Sequence, residues 1–373
     1  MRLQNTLLAL KIQTMFTPSD LPHALKALLA GVSRSFGLSL RLLPRRVRPV
    51  ISLAYLLART SDTLADAAHV PVAHRRHALE TWLKLLDAAT TRERSLALQS
   101  LQLLLPPYRE AQLPASELTL LEHFGLCLDA LAHMPTTDQQ SIARVMGPIG
   151  QGQLEDLERS QRTLATVQTE RELDRYTWQV AGCVGDFWTD CLYTHLPHTL
   201  GMSVAQMKAL GQHYGQGLQR LNILLDAAQD LRNGRCYVPT ETLQRLFLTP
   251  VQLQSASVCN DHQTLTRLEP MQTLWFDQVE DALREGIRYC CALRSWRLRL
   301  ASALPALVGA ASLHLLRQHP TASLMQRLKW QRAELQKHLL LLLIQGVSPR
   351  ALQRQFEHLL HSHRSLRNAT IKP

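Results

Sequence analysis

A chain of 373 residues, 46% hydrophobic and 19% charged, has the make-up of a soluble globular protein and can bury one large core without dividing into domains. Its 41 Lys+Arg against 30 Asp+Glu give a formal charge of +11. The basic residues are scattered, with no basic arm, zinc-finger spacing or aromatic-basic RNA motif, which argues against nucleic acid and leaves an anionic membrane surface or a phosphorylated ligand.

Strand signals are scarce and Leu and Ala dominate, so the expected fold is all-α. Helical periodicity begins near Pro22 and resumes after "LLPRR" to run from about 47 to 68, with Pro49 tolerable in its first turn. Further helices are expected over roughly 75–105, 116–133, 138–158, 168–195, 203–232, 267–316, 322–345 and 349–362. Breaks fall at Pro, Gly and Asn clusters such as "LLPPY", "HLPHTLGMS" and "RNGRCYVPT". These connections are short, so the expectation is one bundle of about ten helices, with a core over 22–345 and a C-terminal tail over 346–373.

Seven cysteines, with no C-x-x-C pair, suit reduced thiols in a cytoplasm. The N-terminal stretch lacks a small-residue cleavage site, so no signal peptide is expected. The longest strongly apolar run, Leu339 to Ile344, is far short of the ~20 residues a membrane span requires.

Within the second helix, "LLARTSDTLAD" places Asp62 and Asp66 at i and i+4, on one face. A lone exposed pair is ordinary, yet the surrounding "VISLAYLLART" is apolar almost all round and suggests burial. A second stripe repeats the pattern: Gln219, Asn222, Asp226 and Asp230 line one side of a helix otherwise built of Leu and Ile. Four carboxylates facing one another cannot stay unpaired in a cavity. Mg²⁺ resolves this, because it takes oxygen ligands and binds through one or two carboxylates together with substrate phosphates. Arg34, Arg59 and Arg235 would offset the remaining charge of a diphosphate.

These blocks resemble the squalene and phytoene synthases. "SRSFGLSLRLLPRRVRPVISLAYLLARTSDTLAD" (33–66) looks like the family's first block, "YTWQVAGCVGDFW" (176–188) its Tyr-x-x-x-Val-Ala-Gly block, and "LNILLDAAQDLRNGRCYVP" (221–239) its second Asp block. "LRLASALPALVGAASLHLL" (298–316) is similar to a C-terminal helix of bacterial members. The resemblance implies a single-domain isoprenoid-synthase helical bundle around a central active-site cavity. It implies Asp62, Asp66, Asp226 and Asp230 as the Mg²⁺ carboxylates with Asn222 beside them, and Tyr55 and Arg59 as catalytic neighbours. Ser33, Arg34, Ser35 and Phe36 match the flap over the diphosphate, with Gln219 and Arg235 as further polar contacts. Val180, Ala181, Gly182, Leu304 and Pro305 would line the prenyl channel, and Lys329 and Arg332 resemble an NADPH-side segment.

Helical Gly182 and Gly185 each cost about 1 kcal/mol, which either a hydrocarbon channel or close helix packing would justify. Core packing is the expectation for Cys183, Cys191, Trp178 and Trp188. Three departures stand out: Gln179 where eukaryotic squalene synthases carry Tyr, Leu225 in place of a basic residue, and Ala306 in place of Gln.

The activity so implied is head-to-head joining of two farnesyl diphosphates through presqualene diphosphate, then NADPH-dependent reduction to squalene. Presqualene diphosphate, dehydrosqualene and phytoene synthesis are the alternatives, and an inactive helical scaffold is the reading outside catalysis. No Rossmann glycine motif is present. The expected form is a cytoplasmic monomer that touches membrane lipid peripherally, since its hydrocarbon product is insoluble in water.

Overall fold

Leu/Ala-rich segments with apolar residues at three- and four-residue spacing fold as expected into helices, and among the described residues strand content is confined to two dipeptides. The computed structural model describes residues 21–33, 36–87, 90–161, 164–326, 328 and 348–361. They divide into two compact units, residues 1–150 with 190–197 and residues 151–189 with 198–373.

The first unit contains α1 (His23–Val32), α2 (Phe36–Leu42), α3 (Arg48–Asp66), α4 (Val72–Asp87), α5 (Thr91–Leu104), α6 (Pro106–Glu110), α7 (Ala115–Ala132) and the larger part of α8 (Thr136–Arg159). The expected helix over 75–105 is two helices. Thr90 starts α5 with a reciprocal cap, its hydroxyl accepting from Glu93 N–H while the Glu93 carboxylate accepts from Thr90 N–H. Helix α3 is the spine of this unit, and twelve of its nineteen residues are buried.

The second unit holds β1 (Ala165–Thr166), α9 (Glu170–Thr177), a π turn (Trp178–Gly182), most of α10 (Cys183–His195), α11 (Val204–Arg232), β2 (Arg235–Cys236), α12 (Thr240–Arg245), α13 (Pro250–Cys259), α14 (His262–Leu265), α15 (Glu269–Ala292), α16 (Trp296–Gln318), α17 (Pro320–Ser323) and α18 (Pro349–His361). The strands pair in parallel, Ala165 with Arg235 and Thr166 with Cys236. The expected helix over 267–316 breaks at 293–295 without Pro or Gly. Long-range bonds accompany the break, Leu293 bridging Leu200 and Arg294 N–H donating to Thr199 O at 2.8 Å, and locally Arg299 donates to Leu293 O at 2.7 Å. Helices α12 and α13 fall where no helix was expected, although Thr249, Pro250 and Gln252 form a capping box. Of the segment expected helical over 322–345, most lies outside the described residues, as does the run Leu339 to Ile344.

Helix α16 is long and apolar enough to cross a membrane, but 89% of its apolar window is buried within the protein, as in a core helix. All seven cysteines are free thiols, and five are buried. Burial pushes the Cys127, Cys183 and Cys236 thiols up to about 12, which suits inert core packing.

An ion cluster ties α15, α16 and α18 together. Glu280 accepts from Arg284 at 2.7 Å and from Arg317 at 2.5 Å, Arg317 also binds Asp277, and Arg284 also binds Glu357. Burial opposes the Glu280 charge, but the hydrogen bonds from Arg317 and Arg284 outweigh it and hold the carboxyl below its ordinary range. A lowered folded-state value means the stabilisation is present above the unfolded value of about 4.3 and is lost as pH falls below it through the folded value. Glu280→Gln should cost about 1.5–3 kcal/mol at neutral pH. In urea melts that cost should shrink steadily below about pH 4; a cost independent of pH would rule out the charged network as its source.

Candidate functional site

Beyond the first turn of α3 the residues that escape full burial form one strip: Tyr55, Ala58, Arg59, Asp62 and Asp66. Their three- and four-residue spacing is the sequence stripe itself, so the Asp pair lies on the single open face of an otherwise buried helix. Asp66 is exposed and Asp62 half-buried. Arg59 lies 3.7 Å from Asp62 and forms a close ion pair with Glu117 of α7. Burial opposes the Arg59 charge, yet Glu117 and Asp62 outweigh it and raise the guanidinium above its usual value. Its Nε has no hydrogen-bond partner among the described residues, leaving a buried donor to be satisfied by something that enters the site. The Tyr55 hydroxyl donates to Val32 O at 3.1 Å, fixing α3 against the end of α1.

Ser33 follows that end, and it is buried. With Lys26, Arg41, Arg48 and Ser52, and with Leu21, Leu29 and Leu40, it lines a cavity of about 330 Å³, and no carboxylate is among the described residues of its wall. The Ser52 hydroxyl oxygen is buried there without a partner among the described residues. A cationic chamber with an unsatisfied hydroxyl suits an anionic group. Arg34 and Ser35 lie outside the described residues; Phe36 begins α2, and its side chain lies outside them as well.

In the second unit, α11 carries a comparable polar stripe. Gln219, Asp226 and Asp230 are half-buried and Asn222 is exposed, whereas Leu221, Ile223, Leu224 and Ala228 are buried. Asn222 Nδ2 donates to Gln219 Oε1 at 3.4 Å. Leu225, next to Asp226 in the chain, is half-buried. Among the described residues no three His, Cys, Asp or Glu side chains converge as a ready-made metal cage. The donors on both strips are oxygens with no soft ligand among them, which fits Mg²⁺ held by one or two carboxylates and a phosphate and does not fit zinc.

Beside α11 lies a network of which reading the sequence found only Arg235. The Tyr237 hydroxyl donates to both Asp156 oxygens, at 3.2 and 3.1 Å, and Arg235 stands 3.9 Å from the same carboxylate. The Tyr176 ring stacks on Tyr237 at 5.3 Å, and Arg159 lies over Tyr176 while bonding Asp156 and Glu172. Burial, reinforced by Tyr176 and Asp156, pushes the Tyr237 hydroxyl well above its ordinary value, so it stays a neutral donor. Both tyrosines stand in blocks already singled out, at "YTWQVAG" and "GRCYVP", and that placement was the available signal. Gln179, buried in the π turn, donates to Glu155 at 3.3 Å.

The glycines near that turn serve helix contact. A Cβ on Gly185 would lie 2.1 Å from Gly211 O, and one on Gly215 would lie 2.4 Å from Ala181 O. Gly182 is packed against Trp178 and Gln216. Val180 and Ala181 are half-buried, Leu304 and Ala306 are buried on α16, and Pro305 between them is half-buried. Lys329 and Arg332 lie outside the described residues.

An all-α chain with an Asp-x-x-x-Asp strip on each of two helices has the build of an isoprenoid synthase, and solved structures share its fold. A TcSQS structure with a bound ligand, BPH1237, superposes with a TM-score of 0.71 over 91% of this chain and 90% of that one at 18% identity. A dehydrosqualene synthase complex gives 0.54 over 90% and 95% at 18% identity. Residues 29–334 match the squalene/phytoene synthase family, and the chain belongs to it. Relatives include a squalene synthase of Eremothecium gossypii, 25% identical over 77% of this chain and 60% of that one. A presqualene diphosphate synthase of Sinorhizobium fredii is 29% identical over 59% and 63%, and a bifunctional lycopene cyclase/phytoene synthase of Colletotrichum graminicola 29% over 60% and 35%. The alignments thus span between about a third and two thirds of these relatives' own lengths.

Proposed function

We propose that the protein joins two farnesyl diphosphates head to head through presqualene diphosphate and, with NADPH, reduces the product to squalene. The observation that carries this reading is the pair of Asp-x-x-x-Asp strips, one on the open face of the mostly buried α3 and one on α11 beside the buried Leu221, Ile223, Leu224 and Ala228. Asp62 and Asp66 on one helix, and Asp226, Asp230 and Asn222 on the other, would hold Mg²⁺. Bound there with a diphosphate, the metal supplies Lewis-acid stabilisation of the departing charge. Arg59, held by Glu117, offers its open Nε to a diphosphate oxygen, and the cation-lined chamber beside Ser33 favours the same charge. Apolar helix faces exclude water from the allylic cation that departure leaves. The 2,3-double bond of the second substrate attacks that cation, and proton loss closes the cyclopropane. Gln179 is an amide pinned to Glu155 and no acid–base group, so released diphosphate is the proton acceptor in this scheme.

The reductive step rests on the family resemblance and the squalene synthase relatives, and Lys329 and Arg332 are its NADPH-side residues. The protein would work as a monomer at the cytoplasmic membrane surface, where an insoluble product can leave directly into lipid. Product analysis tests the whole scheme: purified protein, farnesyl diphosphate and Mg²⁺ are incubated with and without NADPH, and the lipid is extracted. Squalene formed only with NADPH supports the scheme. Presqualene diphosphate accumulating despite NADPH, dehydrosqualene, or a C40 product from geranylgeranyl diphosphate overturns it.

A further inference from the structure

From Thr242 to Asn260 the chain carries one charged residue, Arg245, and no carboxylate. Phe247 in this stretch is 85% exposed, Val251 61% and Val258 55%. The Phe247 backbone also sits at φ 54°, in the left-handed region that a bulky side chain adopts only where its surroundings impose it. The surroundings are specific. Leu243 and Leu248 are buried beneath the turn, Leu248 N–H donates to Leu243 O and Phe247 N–H to Gln244 O, both at 2.9 Å, and the Arg267 guanidinium binds the carbonyls of Leu246 and Phe247. A rigid turn therefore presents an aromatic ring to the outside.

Leu246 of the turn and Leu274 of α15 line one cavity, whose wall also carries Arg245, Arg288 and the carboxylates Glu170, Asp174, Asp281 and Glu285, and Leu274 is itself largely exposed. Arg245 and Arg267 are exposed beside the tip. The acids closest in sequence are engaged locally. Glu241 accepts from Glu170 N–H, Asp261 caps Thr264, and Glu269 accepts from Thr321. An aromatic tip flanked by aliphatic side chains and arginines matches a lipid interface, where the ring enters the acyl boundary and the guanidinium groups meet phosphates. The net charge of +11 adds long-range attraction to the same surface.

We propose that the Phe247 turn, with Val251, Leu274 and Arg245, is the face by which the protein docks on an anionic bilayer. This deepens the peripheral-membrane part of the proposed function and does not depend on its diphosphate chemistry. The test is co-sedimentation of the full chain with phosphatidylcholine vesicles made with and without phosphatidylglycerol. Wild type should sediment with the anionic vesicles, Phe247→Ser should weaken that binding about tenfold, and Phe247→Trp should retain it. Leu103→Ser, which alters an 80% exposed Leu in the other unit, should bind as wild type does. Diphosphate release in vesicle-free solution should be the same for Phe247→Ser and wild type.

Undiminished binding by Phe247→Ser, or an equal loss in Leu103→Ser, overturns the assignment of the face. A wild type that ignores anionic vesicles overturns the membrane reading with it. Self-association without lipid that Phe247→Ser abolishes would give the face to a second copy of the chain. A wild type that docks but releases no diphosphate contradicts the catalytic reading alone and leaves this assignment standing.

Discussion

Asp62→Asn and Asp226→Asn should each slow diphosphate release from farnesyl diphosphate by about 10²–10³-fold, the scale on which loss of one preorganised charge-stabilising group is felt. Asn keeps the shape of Asp and removes only the charge. Neither residue is fully buried, so the folded state should tolerate the change, and thermal unfolding should stay close to wild type. If the two strips act on one leaving group, the double variant should be scarcely slower than either single one, because groups that work as a unit are not additive. Losses that multiply would mean two independent sites. Full activity in either single variant would remove that strip from the chemistry.

Gly185→Ala should be the most damaging single-methyl change in the second unit. Its Cβ would lie 2.1 Å from the Gly211 carbonyl oxygen, a backbone atom with no flexible side chain to move aside. Two helices must then separate where Gly185, Gly211 and Gly215 let their backbones touch, at a cost of about 3 kcal/mol, the upper end of ordinary overpacking. Gly125→Ala in α7 is the matched contrast, since nothing lies within 4 Å of its added methyl. It should gain up to about 1 kcal/mol from helix propensity alone. Urea midpoints read both changes, and a Gly185→Ala midpoint at the wild-type value would show that these helices do not meet at Gly185.

The Asp strips were legible because they depend on local periodicity: i, i+4 spacing on a helix puts two carboxylates on one face whatever the rest of the chain does. Burial of the flanking Leu and Ile followed from the same pattern. Glu117 was not legible, because the pairing that holds Arg59 joins residues 58 apart in sequence and no local pattern encodes it. The break at Leu293 was hidden for a similar reason, as bonds to Thr199 and Leu200 accompany it in a stretch free of helix breakers. By contrast, the Thr90 and Thr249 caps were written plainly in Thr-x-x-Glu and Thr-x-x-Gln, and apolar periodicity running on past them masked the signal. Tyr176 and Tyr237 stood in recognisable blocks, but their stack over Asp156 brings together segments some 60 and 80 residues apart. Gly185 admitted two readings in sequence, and the geometry selects helix packing.

The proposed chemistry requires a divalent metal and the carboxylates of each strip. The most direct measurement is diphosphate release from farnesyl diphosphate by the wild-type protein as Mg²⁺ is titrated into chelator-treated enzyme. The account predicts release that is absent without metal, rises with Mg²⁺ and falls sharply in both Asp62→Asn and Asp226→Asn. Release at an unchanged rate in excess chelator, or none at any Mg²⁺ concentration, would contradict it.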